Sequence, residues 1–118
     1  MGDNSGYPVI EKAVLGTKLG KGRMPKKAMT RFKRGTGSIS CGIKFFSVPD
    51  NAKIDVEWIS LASGGEVPLQ STSATIGKGG VTTVGVTWNP GGKLQPGPHK
   101  AVISVNSSKI HEIAFTVE

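Results

Sequence analysis

Residues 53–61 read KIDVEWISL. Ile54, Val56 and Trp58 fall on one side of this run, and Asp55 and Glu57 on the other. Side chains leave a strand alternately to its two faces, so a period of two places the apolar set in a core and the acids in water. The final run, KIHEIAFTVE (109–118), repeats the device, with Ile113, Phe115 and Val117 opposed by Glu112 and Thr116. VTTVGVTW (81–88) is β-branched and reads as a strand. HKAVISVN (99–106) is read as the hairpin partner of the last run, and SISCGIKFF (38–46) alternates in its first half. VPDNA, ASGGEVP and NPGGKLQPGP separate these runs with the residues that turns require. LQSTSATIGKGG (69–80) is polar and ambiguous. No stretch holds a helical period for three turns, and 17 Gly with 7 Pro count against helices. The pattern predicts an all-β fold, a sandwich or small barrel of about seven antiparallel strands.

The expected core is Ile39, Cys41, Ile43, Ile54, Val56, Trp58, Val84, Val86, Ile103, Ile113, Phe115 and Val117. A chain of 118 residues is one domain at most, with room for a tail. It contains no apolar run of the roughly 18 residues that a membrane-spanning helix needs. The start, MGDNSGYPVI, has neither a basic n-region nor an apolar h-region, and residues 1–8 are expected to fray.

The end of the chain resembles the last hairpin of bacterial immunoglobulin-like β-sandwich modules. Leu94, Pro96, Gly97, Phe115 and Val117 stand where those modules carry Leu-x-Pro-Gly, a strand, a short turn and a closing Phe-x-Val. TRFKRGTGSISCGIKFFSVPDNAKIDVEWI is similar to their opening, and the resemblance covers roughly residues 30–118. It implies an immunoglobulin-like sandwich at 31–118 preceded by a basic, partly flexible arm or linker at 1–30. It also favours the cell envelope or an extracellular setting. Cys41 and Trp58 sit much as in antibody-type domains, but Cys41 is the only cysteine, so no disulfide can pin the sheets.

Catalytic chemistry finds little footing. His99 and His111 could approach across a hairpin, yet a metal site needs further ligands. Solvent-facing histidines are the plainer reading. Cys41, in phase with Ile39 and Ile43, reads as a buried small apolar residue and not as a nucleophile. GKGR (20–23) and GKGG (77–80) lack the spacing and following helix of a phosphate-binding loop. Trp88 is in phase with Val84 and Val86, which favours the core, although its place at a strand end would also suit a binding rim. We therefore expect no catalytic residues, no metal, no cofactor and no enzyme.

Charge carries the sharpest functional hint. Residues 1–34 hold nine bases and two acids, while residues 35–118 hold six of each, so the whole net charge of +7 lies in the first third. Lys18, Lys21, Arg23, Lys26, Lys27, Arg31, Lys33 and Arg34 are the candidate polyanion-binding residues. Residues 16–31 lack any period and read as loop or flexible segment. Two roles follow. The chain is a structural or protein-interaction module, an accessory domain of a larger bacterial or phage-derived assembly whose partner is another protein. Alternatively it binds nucleic acid or an anionic glycan through the arm, as a small viral coat-like protein would. In the first case the arm is a solvated linker, and the folded part carries no excess basic face.

Overall fold

The computed structural model describes residues 8–118. The frayed start expected at 1–8 thus lies, Pro8 apart, outside the described residues. Eight strands follow in order: β1 (Val9–Gly16), β2 (Arg31–Phe32), β3 (Ile39–Ser47), β4 (Lys53–Ser60), β5 (Val67–Thr75), β6 (Thr82–Trp88), β7 (Gly97–Val105) and β8 (Ser108–Val117). Among the described residues the helical content is one short 3-10 turn, Lys21–Arg23.

The strands form two sheets. The smaller has the order β1-β3-β6 and the larger β2-β8-β7-β4-β5. All pairings are antiparallel except the two-residue contact of β2 with β8. The polar run left ambiguous in the sequence is β5, an edge strand paired with β4 alone. Both its faces are largely exposed, so it has no apolar face to set a period.

The core lies between the sheets, and the alternation in the sequence builds it. Ile39, Cys41, Ile43 and Phe45 of β3 are fully buried, as are Ile54, Val56 and Trp58 of β4. Val84, Val86, Ile103, Phe115 and Val117 join them as expected, and Ile113 packs on the cluster half-buried. Trp58 is the hub. Its ring stacks on Trp88 at 5.2 Å and meets Phe115 edge-on at 6.1 Å. Its neighbour on β7 is the small Ala101, which leaves it room. The indole Nε1–H donates to Thr72 Oγ1 at 3.1 Å, so the buried donor is satisfied. An aromatic cluster therefore stands at the centre of a sandwich that has no disulfide. Trp88 belongs to it, as its phase indicates.

The division at residue 30 does not coincide with the edge of the sandwich. Val9–Gly16 pairs along β3 from Val9↔Ser47 to Gly16↔Ser40, and Leu15 is buried. The run VIEKAVLG had enough apolar side chains for a strand, and β3 offers it an open edge. The chain then crosses to the other sheet, where Phe32 is buried edge-on against Phe115 at 5.7 Å.

Candidate polyanion-binding face

Residues 17–30 make that crossing as a flap folded over the outer face of the small sheet. Gly20 N–H donates to Met24 O at 2.7 Å, Leu19 and Pro25 form an isolated bridge, and Met29 N–H donates to Leu15 O at 2.7 Å. The tip turns through Gly22 and Arg23, both at positive φ (70° and 62°).

Glycines in the strands beneath let the flap come this close. Gly42 and Gly85 are paired across β3 and β6. A Cβ on Gly42 would lie 2.7 Å from Met24 Sδ and from Pro25 Cδ, and one on Gly85 would lie 2.7 Å from Leu19 Cδ1 and 2.9 Å from Arg23 O. Gly16 is as tight, with Lys27 O and Pro25 Cβ both at 2.6 Å. These glycines form a trough that takes the apolar side of the flap. Leu19, Met24, Pro25 and Met29 are half-buried, whereas Lys18, Lys21, Arg23, Lys26 and Lys27 are exposed.

The eight bases singled out in the sequence therefore fall into two groups. Five ride on the flap above the small sheet. Arg31, Lys33 and Arg34 lie on and just after β2, at the edge of the large sheet, all exposed, and Arg31 spends part of its charge on Glu118 at 3.5 Å. Beside the flap the fold sets Lys12, one of the nine bases counted in the first third, next to Lys44, which sequence reasoning did not include. Lys12 and Lys44 are cross-strand neighbours on β1 and β3, with Lys44 held by Glu11 at 3.3 Å. The expected absence of a basic face thus needs correction, because the flap's cations become part of the folded surface. Gly42 and Gly85, set inside otherwise alternating runs, were the signal, since a glycine within a strand marks where other chain approaches closely.

At one end of the flap Arg23 meets Thr75, Thr82 and Thr83 around a hollow of about 170 Å³. Among the described residues no ion pair engages Lys18, Lys21, Arg23, Lys26 or Lys27.

The large sheet treats charge differently. Lys100 reaches Glu66 at 2.7 Å and Glu112 at 3.3 Å, Lys109 also pairs with Glu112, and Lys53 with Asp55 at 4.0 Å. The hydrogen bond that Lys100 donates to Glu66, supported by Glu112, holds its ammonium above its ordinary pKa. Lys109 and then Lys100 hold the Glu112 carboxyl below its own.

The histidines correct another expectation. His111 is exposed, but His99 is buried, at 1% exposure, and stacks on Phe115 at 5.2 Å. Register separates the two, since His99 lies opposite Phe115 and His111 opposite Ile103. Cys41 is buried as expected, and desolvation pushes its thiol pKa up to about 12. GKGR and GKGG both lie in turns, the second anchored by Gly79 N–H donating to Asp50 Oδ1 at 2.7 Å.

No protein-family model and no curated protein matches this sequence. The fold does match solved structures. An immunoglobulin-like protein from Pseudomonas aeruginosa superposes with a TM-score of 0.63 at 9% identity, covering 98% of this chain and 100% of that one. A Pseudomonas fluorescens alkylpurine DNA glycosylase, solved bound to DNA containing an abasic site analogue, matches with a TM-score of 0.51 at 14% identity. That match covers 96% of this chain but 31% of the glycosylase. The fold is thus the immunoglobulin-like β-sandwich that the sequence resemblance implied.

Proposed function

We propose that this chain is a non-enzymatic interaction module that binds the phosphate backbone of a nucleic acid through the flap-covered face of its small sheet. The immunoglobulin-like sandwich serves structural and interaction roles and fixes none of them by itself, so the surface must decide. One observation carries the reading: five cations without ion-pair partners among the described residues are held on one face by a flap packed into a glycine trough. Fixed cations need less ordering on contact than cations on a free tail, so more of the electrostatic gain survives as affinity.

A protein partner docking along a sheet edge has weaker support. β5 is a free edge of nine residues, but a bulge opposite Trp58/Ile59 and Pro68 interrupt its ladder, which discourages strand addition. The glycosylase likeness is one of fold alone and suggests only which ligand to try first.

The test is the affinity for a labelled DNA duplex across a salt series, for the wild type and for a variant with Lys18, Lys21, Lys26 and Lys27 all replaced by Gln. Each phosphate contact steepens the slope of log K against log salt by about 0.9. The wild type is expected to bind with a steep slope and the variant with a clearly shallower one. Absence of binding by the wild type, or equal slopes, would refute the reading.

A further inference from the structure

The end of β3 beyond the flap carries an aromatic ring that the core does not use. Alternation along β3 sends Cys41, Ile43 and Phe45 inward, where all three are fully buried, and turns Gly42, Lys44 and Phe46 outward. Phe46 is 62% exposed. Among the described residues it is the one exposed aromatic ring, since Phe32, Phe45, Trp58, Trp88 and Phe115 are buried. The adjoining strands leave apolar side chains in water at the same end of the sheet. Val9 of β1 pairs with Ser47, Val81 precedes the Thr82 that pairs with Phe45, and both valines are exposed.

A single exposed apolar residue needs no explanation. What sets Phe46 apart is the line of residues that leads to it. The next outward positions along β3 are Lys44 and then Gly42, the glycine on which Met24 and Pro25 of the flap are seated. At about 3.3 Å per residue, Phe46 lies about 13 Å from that seat. Between them Lys12 of β1 stands across from Lys44, and Thr83 of β6 stands across from it on the other side. Lys44 gives part of its charge to Glu11, whereas Lys12 enters no ion pair among the described residues. The outer face of the small sheet thus runs from the five cations of the flap, past two more, to a bare ring.

The order of these groups narrows the ligand. Phosphates suit the cations, and the flat face of a nucleobase suits the ring. Stacking of a base on an aromatic side chain is tolerant of sequence, because every base has a π-face. A duplex cannot use the ring in this way, since its bases are already stacked on one another. Laid along the same line, it would set charged phosphates against an apolar side chain. An anionic glycan would meet the cations but has no aromatic face to offer. We infer that the nucleic acid taken by this face is single-stranded, with its phosphates along the flap and one unpaired base stacked on Phe46. The inference rests on the phosphate-binding reading above and adds to it the form of the nucleic acid.

The probe is a short labelled oligothymidylate, which forms no structure of its own, compared with a labelled duplex of the same length. Each is titrated across a salt series into the full chain, wild type and with Phe46 replaced by Ala, Leu or Trp. The side chain is exposed, so the variants should melt with the wild type. The wild type is expected to prefer the single-stranded probe. Phe46→Ala should weaken that binding by about 5- to 100-fold, the range for losing one base stack, and leave duplex binding unchanged. The loss should be the same at every salt concentration, because stacking releases no counterions. Phe46→Leu keeps an apolar side chain without a ring and should lose nearly as much. Phe46→Trp should bind as the wild type does, with its added fluorescence quenched saturably by the stacked base. If Phe46→Ala or Phe46→Leu binds the single-stranded probe as the wild type does, and with the same steep salt slope, stacking is overturned and the phosphate reading stands. A wild type that prefers the duplex has the same meaning. If the wild type binds neither probe, both readings fall. Self-association of the wild type that Phe46→Ala abolishes, with no change in affinity for the single-stranded probe, would assign the ring to a second copy of the chain and overturn the inference as well.

Discussion

β3 and β4 present the same pattern inward and opposite ones outward. Every second residue of each is fully buried, Ile39, Cys41, Ile43 and Phe45 on one strand and Ile54, Val56 and Trp58 on the other. Outward, β4 shows Asp55 and Glu57, whereas β3 has Ser40, Gly42 and Lys44. The large sheet faces water directly and pairs its charges, with Lys100 between Glu66 and Glu112. The small sheet carries glycines on its outer face and is covered by the flap, whose five cations no acid offsets among the described ion pairs. The comparison teaches that inward residues set the fold and outward residues set the role. It also shows that a basic segment can be part of a folded face.

The two sheets share one core, so damage at its hub should not distinguish them. Trp58→Ala removes the ring that links Trp88 and Phe115 and should cost about 3–5 kcal/mol. Chemical denaturation measures this, and a loss under about 1 kcal/mol would mean the sheets are held together elsewhere. Gly85→Val should separate them. Its side chain points away from the core into Leu19 and Arg23 O, so the expected cost is about 1–3 kcal/mol, the range for overpacking. Amide exchange should quicken at Gly20 and Met29, whose hydrogen bonds hold the flap, while β7 and β8 keep their protection. Faster exchange throughout would deny the flap its independence.

Ion pairing on the large sheet gives a smaller effect with a definite sign. Glu112 has a lowered pKa, so its contribution is present above its unfolded pKa and fades as pH falls through the folded one. Glu112→Gln should lower the melting temperature slightly at neutral pH, and the gap to wild type should close on acidification. A gap that stays constant would assign the loss to packing. The effect is small because exposed pairs are screened by solvent. Smallest is the reactivity of Cys41, inward on β3 with a thiol pushed up to about 12. A maleimide at mildly alkaline pH should label it no faster than the protein unfolds, and rapid labelling would place it outside the core.

Much of the inner structure was legible in the sequence. Period-two runs identified β4, β6 and β8 and placed Trp58, Val86 and Phe115, because a strand with one wet face must alternate. The outer structure was not. β5 is polar on both faces and carries no phase, and the flap folds by fitting glycines on distant strands, which no local period records. His99 escaped for a related reason. It opens the run HKAVISV, where buried and half-buried residues follow one another so closely that the phase is weak. Its burial depends on Ser60 and Phe115, which lie beside it only after the strands pair.

The most direct test of the account is to compare DNA affinity across a salt series for the wild type and Gly85→Val. The two have identical charge and differ in whether the flap is seated. If the glycine trough makes the flap a binding face, Gly85→Val will bind more weakly with a shallower salt slope, having lost phosphate contacts but no cations. If the two bind alike, the bases act as a loose tail, and the claim that the fold builds the basic face is wrong.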